Sequence, residues 1–436
     1  MTGPVGDPGS VRALAGQLRT GELTARALAE RCLARIEAVD GTVRAWISVE
    51  ADRALAEADA CDAEARQGRF RGPLHGVLFA IKDVIDLAGR PTRAGSRSRA
   101  DAPPARLDAT VVARLRAQGA IPLGKVHTTE FAYFDGVPPT RNPHDLTRTP
   151  GGSSGGPAAA VASGTVPFAL GTQTAGSVCR PAAYCGIGAF KPSTLSVTGH
   201  GVTPFAPSYD TVGAFAGTAA DAAAVVGAMA PEALGIGRPA GPPPTEAVFL
   251  DDPLIADKAG ATTKSSMDGL RADMAAAGFS VRTMVSPVPL AEALALHRTV
   301  ILYEVSRVHA GLLDVADLVG PRLIADIRAG LQIADADYRA ALAALIAARR
   351  TFWAALPWPA LTVLPAAPGP APVGEATGDP SFISPMTALG GPIASVPVAP
   401  CGGTGMPLGA MVCAPPGADA LLAAALDAAT AGPLSR

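Results

Sequence analysis

The stretch from Gly151 to Cys185, GGSSGGPAAAVASGTVPFALGTQTAGSVCRPAAYC, carries no charged side chain before Arg180. It opens on Gly151-Gly152-Ser153-Ser154-Gly155-Gly156 and reaches a second hydroxyl cluster at Thr174-Ala175-Gly176-Ser177. An uncharged run of this kind belongs in a core. A membrane span is the competing reading, here and at 352–374, but Gly and Pro interrupt both windows too often for a helix of about 20 residues in lipid. Glycine lets the chain take backbone angles closed to other residues and lets a ligand approach the main chain closely. Hydroxyls at such points can act as nucleophiles, and consecutive backbone N–H groups beside them can bind a developing oxyanion.

Other meanings of the same residues are weaker. Gly151-Gly152-Ser153-Ser154-Gly155 formally fits G-x-S-x-G, but a nucleophile elbow follows a hydrophobic strand, and the preceding Asn142–Pro150 segment reads as a loop. A phosphate loop would end in Gly-Lys-Ser/Thr, and Gly156-Pro157 does not. A flexible linker is the commonest meaning of Gly and Ser together. Here, however, Pro157 is followed by Ala158, Ala159, Ala160, Val161 and Ala162, the first turns of a buried helix with proline near its start.

Composition narrows the class. A chain of 436 residues can bury a large core as one domain, 1–436. Its net charge is −2, with Lys and Arg dispersed, so nothing marks a nucleic-acid partner. Six cysteines without a CxxC pair suit free thiols in a reducing cytosol, and six histidines without HExxH leave no metal motif. Met1–Ser10 has no basic segment followed by an apolar one, so no signal peptide is visible and a cytoplasmic location is expected.

Along the chain, Val11–Leu18, Thr24–Val39 and Ala51–Gln67 read as helices, and Ala45–Val49 as a short strand. Together 1–70 reads as a helical scaffold. Gly76–Ile81 is a buried strand ending abruptly in Lys82-Asp83. A lysine there is either a snorkelling surface residue or a base whose pKa burial would depress. Asp108 is expected to cap a helix running to Gln118, and Ile121–Gly124 to form the next strand, an alternation that argues for an α/β layered fold. Tyr133 and Phe134 fit either a core or a pocket wall. Further on, Ala219–Met229 and Ser265–Ala277 read as helices, Pro231–Thr245 as a surface connection, and Phe279–Val285 as a strand. The pattern from Pro289 to Leu356 is helical, with Ala341, Leu342, Leu345 and Ile346 on one apolar stripe. Region 230–358 is thus mostly helical, expected either to cover one face of the sheet or to form a variable lid on the substrate side. Leu361–Leu364, Ile393–Val398 and Gly409–Cys413 are expected late strands, and Ala418–Ala429 a final helix.

Four segments together resemble the amidase signature family: VLFAIKDVIDLAG at Val77–Gly89, GAIPLGKVHTTEF at Gly119–Phe131, TPGGSSGGPAAAVASG at Thr149–Gly164 and GTQTAGSVCRPAAYCGIGAFKP at Gly171–Pro192. Gly390–Pro400 and Gly405–Val412 echo its C-terminal pattern, and 71–215 is the dense signature core. The resemblance implies a three-layer α/β/α fold with a large mixed central sheet. It also implies a serine hydrolase cleaving the C–N bond of a linear amide or carbamate (urethane) through an acyl-enzyme, in the manner of malonamidase-like or urethanase-like members. Ser177 would be the nucleophile, Ser153 the relay serine preceded by a cis peptide bond, and Lys82 the base. Thr174, Ala175, Gly176 and Ser177 would form the oxyanion hole, with Tyr133, Phe134, Ser154 and Arg180 at the substrate. No cofactor is implied, and a homodimer is admitted. An amidotransferase subunit making ammonia for a partner protein is the alternative.

Three positions depart from the family pattern. Gln173 and Ala175 stand where the family often has Asp and Gly, and His127 where many relatives have Asn. Arg180 lies three residues after Ser177, as in malonamidase-like members that hold a substrate carboxylate. Its competing role is an internal ion pair with an aspartate.

Overall fold

Residues 78–82 are apolar up to a single terminal lysine, and each is fully buried. A strand with both faces covered needs that composition, and it sits near the middle of a layered sheet. The computed structural model, which describes residues 4–134, 136–237, 242–428 and 432–434, places it there. The strands are β1 (Trp46–Val49), β2 (Leu78–Lys82), β3 (Ile121–Val126), β4 (Phe168–Gln173), β5 (Gly188–Lys191), β6 (Thr211–Ala216), β7 (Glu246–Asp251), β8 (Ser280–Val285), β9 (Ala360–Pro365), β10 (Ile393–Val398) and β11 (Leu408–Cys413). They form one sheet of 11 strands in the order β1-β3-β2-β4-β6-β5-β10-β11-β9-β7-β8. The sheet is mixed: β2 runs parallel to β3 and β4, and β7 parallel to β8 and β9, while the remaining pairs are antiparallel. With its helices this is the three-layer α/β/α architecture.

The register of β2 against β4 matters for function. Phe79 pairs with Phe168 and Ile81 with Leu170, and the two Phe rings stack 5.2 Å apart. Lys82 at the carboxyl end of β2 is thereby brought beside the carboxyl end of β4, where the chain turns toward Ser177. In open α/β sheets this is the edge at which ligands bind.

Local chemistry sets the helix ends. Ser10 accepts from the Ala13 N–H and starts helix Val11–Thr20, which stops at Gly21 in the left-handed region. Thr24 caps Ala25–Val43 in the same way. Asp108 does not cap the next helix, which runs Thr110–Ala117 with Ala109 at its start. Its carboxylate instead accepts from the Ala88 N–H, 2.8 Å away, and faces Arg116. A long-range tie replaced the local one.

The expected helical stretch after Pro289 consists of Leu290–Val308, Pro321–Leu331 and Asp335–Ala355, with a 3-10 segment, Ala310–Leu318, between the first two. Ala341 and Leu345 are buried, but Ile346 is 48% exposed and lies off the stripe. The first of these helices packs on Ile383–Ala388. Part of the expected 231–245 connection is a short helix, Pro231–Leu234, while 238–241 and the end of the last expected helix at Ala429 lie outside the described residues. All six cysteines are buried and unpaired. Among the described residues no helix is long and apolar enough to cross a membrane.

Candidate active site

Lys82 is fully buried, and its Nζ lies 2.7 Å from Ser153 Oγ and 2.8 Å from Thr172 Oγ1. Removal from water disfavours the ammonium, so burial pushes this lysine well below its ordinary pKa; the buried Asp210 opposes that only partly. Burial thus favours the neutral amine, which has a lone pair to offer. The peptide bond between Gly152 and Ser153 is cis. Around it the backbone is held from two sides: Gly152 N–H donates to Thr377 O at 3.2 Å, and Gly152 O accepts from Arg180 Nη2 at 2.7 Å.

The loop after β4 carries the second serine. Ser177 is 9% exposed, and among the described residues none is hydrogen-bonded to its Oγ. The N–H groups of Ala175, Gly176 and Ser177 likewise enter no hydrogen bond of the described residues. Three consecutive free donors in a largely buried turn are uncommon, because an unpaired buried N–H costs about as much as a lost hydrogen bond. A site that must bind a developing negative charge has use for them.

Gln173 explains how the turn keeps its shape. Its Oε1 accepts from Val178 N–H at 2.8 Å and Cys179 N–H at 3.0 Å, at the start of helix Cys179–Cys185. Its Nε2 donates to Thr387 Oγ1 at 2.9 Å. A carboxylate could accept the two backbone bonds but could not donate the third. Asp83, the residue after Lys82, forms a buried ion pair with Lys125, 3.2 Å apart, and accepts from the Arg93 N–H. That pair fixes the chain where it leaves β2.

The four residues expected at the substrate have different fates. Tyr133 and Phe134 line a cleft of about 820 Å³ together with Ala175, His297, Arg298 and Arg322. The Tyr133 hydroxyl donates to Asp326, and the Arg322 guanidinium sits 4.3 Å from the Phe134 ring centre. Ser154 is fully buried and does not line this cleft; its Oγ bonds the Thr172 backbone at N and O. Arg180 is 2% exposed, and burial lowers its pKa to about 10. Apart from its bond to Gly152 O, its Nε and Nη1 are without partners, and no carboxylate of the described residues forms an ion pair with it. The competing aspartate pair is therefore absent among those residues.

Thr172, His297, Thr387 and Asp210 also belong to this neighbourhood; Thr172 and Asp210 fall within the signature core, whereas His297 and Thr387 had no motif to reveal them. Asp210 accepts from the Thr174 hydroxyl and from the Phe205 and Ala206 N–H groups, and burial raises its pKa. A second cavity of about 310 Å³ reaches Thr172, Thr174 and Asp210 from the 195–207 side. No group of three His, Cys, Asp or Glu side chains among the described residues is arranged to hold a metal.

Comparison with known proteins shows the family. A family model described as amidase matches residues 27–423. A glutamyl-tRNA(Gln) amidotransferase subunit from Chloroflexus aurantiacus is 46% identical over 226 residues, which are 51% of this chain and 46% of that protein. A 1-carboxybiuret hydrolase subunit from Pseudomonas is 43% identical over 204 residues, 46% of this chain and 45% of that one. The chain thus spans about half the length of the curated relatives it matches. Among solved structures, an amidase superposes with a TM-score of 0.86 at 30% identity, covering 96% of this chain and 98% of that one. The peptide amidase of Stenotrophomonas maltophilia does so at 0.80 and 29% identity, covering 95% of each.

Proposed function

The chain belongs to the amidase family, and we propose that it hydrolyses a linear amide or carbamate through an acyl-enzyme on Ser177. The observation that carries this reading is the fully buried Lys82 amine, 2.7 Å from Ser153 Oγ. Neutral Lys82 accepts the Ser153 proton while Ser153 accepts that of Ser177, whose Oγ attacks the carbonyl carbon. Catalytic hydrogen bonds often tighten only when substrate is bound, and the Ser177–Ser153 contact forms at that stage. The tetrahedral oxyanion is met by the free N–H groups of Ala175, Gly176 and Ser177, with Thr174 at the edge of the same turn. Lys82 then returns the proton through Ser153 to the leaving nitrogen, and water releases the acid.

The substrate enters the cleft walled by Tyr133 and Phe134, which suits an aryl or extended apolar group on one side of the scissile bond. Arg180, with two buried donors unpaired, would hold a carboxylate on a short acid amide, since a guanidinium matches a carboxylate at two points. A panel of amides and carbamates with and without a free carboxylate tests this. Faster turnover of the acids, lost in Arg180→Leu, is expected; equal turnover of both sets removes Arg180 from substrate binding.

A second reading rests on the 46% identity to an amidotransferase subunit: the same site would release ammonia for a partner protein. Glutamine hydrolysis that appears only when a partner is added would favour it over a free-standing hydrolase.

A further inference from the structure

A trans peptide group is planar, and its C=O and N–H point in opposite directions. Whatever fixes the carbonyl of one residue therefore aims the N–H of the next. In the turn after β4, Thr174 O accepts from His297 Nε2 at 3.1 Å, and Ala175 O accepts from Thr387 Oγ1 at 2.5 Å. The two peptide groups held in this way are those whose N–H groups belong to Ala175 and Gly176, both without hydrogen bonds among the described residues. Neither holder lies in the glycine- and serine-rich segment: His297 comes from helix Leu290–Val308 and Thr387 from Ile383–Ala388.

We propose that His297 and Thr387 are positioning residues for the oxyanion site, each bonding the back of one peptide group so that its N–H stays aimed at the reacting oxygen. This rests on the reading of Ser177 as nucleophile given above.

Each holder is itself immobilised with its proton on the required atom. His297 is 2% exposed, and the Tyr209 ring lies nearly perpendicular to it, centroids 4.4 Å apart. A carbonyl oxygen opposite Nε2 can only accept, so Nε2 carries the proton. Thr387 is fully buried, and its oxygen accepts from Gln173 Nε2. That bond leaves the hydroxyl proton to point at Ala175 O. The chain of donors therefore runs from the Val178 and Cys179 N–H groups into Gln173, from Gln173 into Thr387, and from Thr387 into Ala175. Gln173 completes it because an amide both accepts and donates.

The test measures phosphonylation by an alkyl fluorophosphonate, a probe whose phosphoryl oxygen uses the same donors and which requires no knowledge of the substrate. His297→Leu and Thr387→Val are expected to slow the first-order labelling step about 10–100-fold, less than complete loss of one oxyanion donor, while the probe's apparent dissociation constant changes less than about threefold. His297→Gln and Thr387→Ser, which keep a donor, should recover most of the rate. A role confined to holding the fold would not separate the two constants or be rescued in this pattern. Folding of each variant is checked by circular dichroism, and the Gln and Ser variants serve if the others fail to fold. Unchanged first-order rates in folded His297→Leu and Thr387→Val, or Thr387→Ser no faster than Thr387→Val, overturn the inference while leaving Ser177 in place. Labelling that persists in Ser177→Ala overturns the reading beneath it.

Discussion

Replacing Lys82 by Met keeps most of the side chain's volume and removes its amine. Two hydrogen bonds disappear, those of 2.7 Å to Ser153 and 2.8 Å to Thr172. Each contributes about 1 kcal/mol net, so the direct loss is about 2 kcal/mol. An opposing effect follows from burial. The folded-state pKa of Lys82 is depressed, so between that value and the ordinary 10.5 the unfolded chain binds a proton that the folded chain does not. Stability of the wild type therefore rises with pH through this window, and the penalty is largest on its acid side. Lys82→Met has no such penalty. Near pH 7 the two effects oppose each other, and the wild type should gain stability relative to the variant toward pH 10. Turnover behaves differently: loss of the base should cost about 10²–10⁴-fold, or roughly 3–5 kcal/mol of barrier. Urea midpoints at pH 7 and pH 10, with turnover of an amide that the wild type hydrolyses, measure both effects. A folded variant keeping more than about a tenth of the activity would refute the relay, since that is far less than a lost general base costs.

Acid should destabilise the protein through its histidines. Burial lowers His297 to about 3 and His127 to about 4, whereas both take a proton near 6.5 once unfolded. The unfolded chain then binds more protons as pH falls below 6.5, and each group removes about 2 kcal/mol between there and pH 5, visible as a lower urea midpoint. An unchanged midpoint between pH 7 and pH 5 contradicts this. Gly156→Ala should be strongly destabilised, by about 3 kcal/mol or more, because the new Cβ would lie 2.4 Å from the His127 carbonyl oxygen and 2.5 Å from its nitrogen. Both obstacles are main chain, so side-chain rotation cannot relieve them, and a melting temperature equal to the wild type's would show that the two segments separate easily.

Legibility in the sequence followed how local the physics was. The run ending in Lys82 was readable because a strand buried on both faces must be apolar. The early part of β4 was read only as uncharged core: Phe168, Ala169 and Leu170 do not separate strand from helix by pattern. Asp108 carried a cap's chemistry, but its bond went to Ala88, 20 residues away. The site showed the same division. Ser153, Ser177 and Lys82 stand in segments with a family pattern, whereas His297 and Thr387 act through single bonds to backbone carbonyls 123 and 212 residues away. Such contacts leave no periodicity, spacing or composition to read. Gln173 was visible only as a departure from the pattern, and its three bonds supply the physical reason that the turn keeps its shape with an amide there.

The central claim is that the scissile acyl group passes onto Ser177. Mixing the enzyme with hydrolysable amides, quenching in acid within the first turnover and mapping peptides by mass spectrometry tests it directly. The account predicts the substrate's acyl mass on the peptide containing Ser177 and none in Ser177→Ala. Turnover with no acylated peptide, or an acyl group found on Ser153 instead, would contradict it.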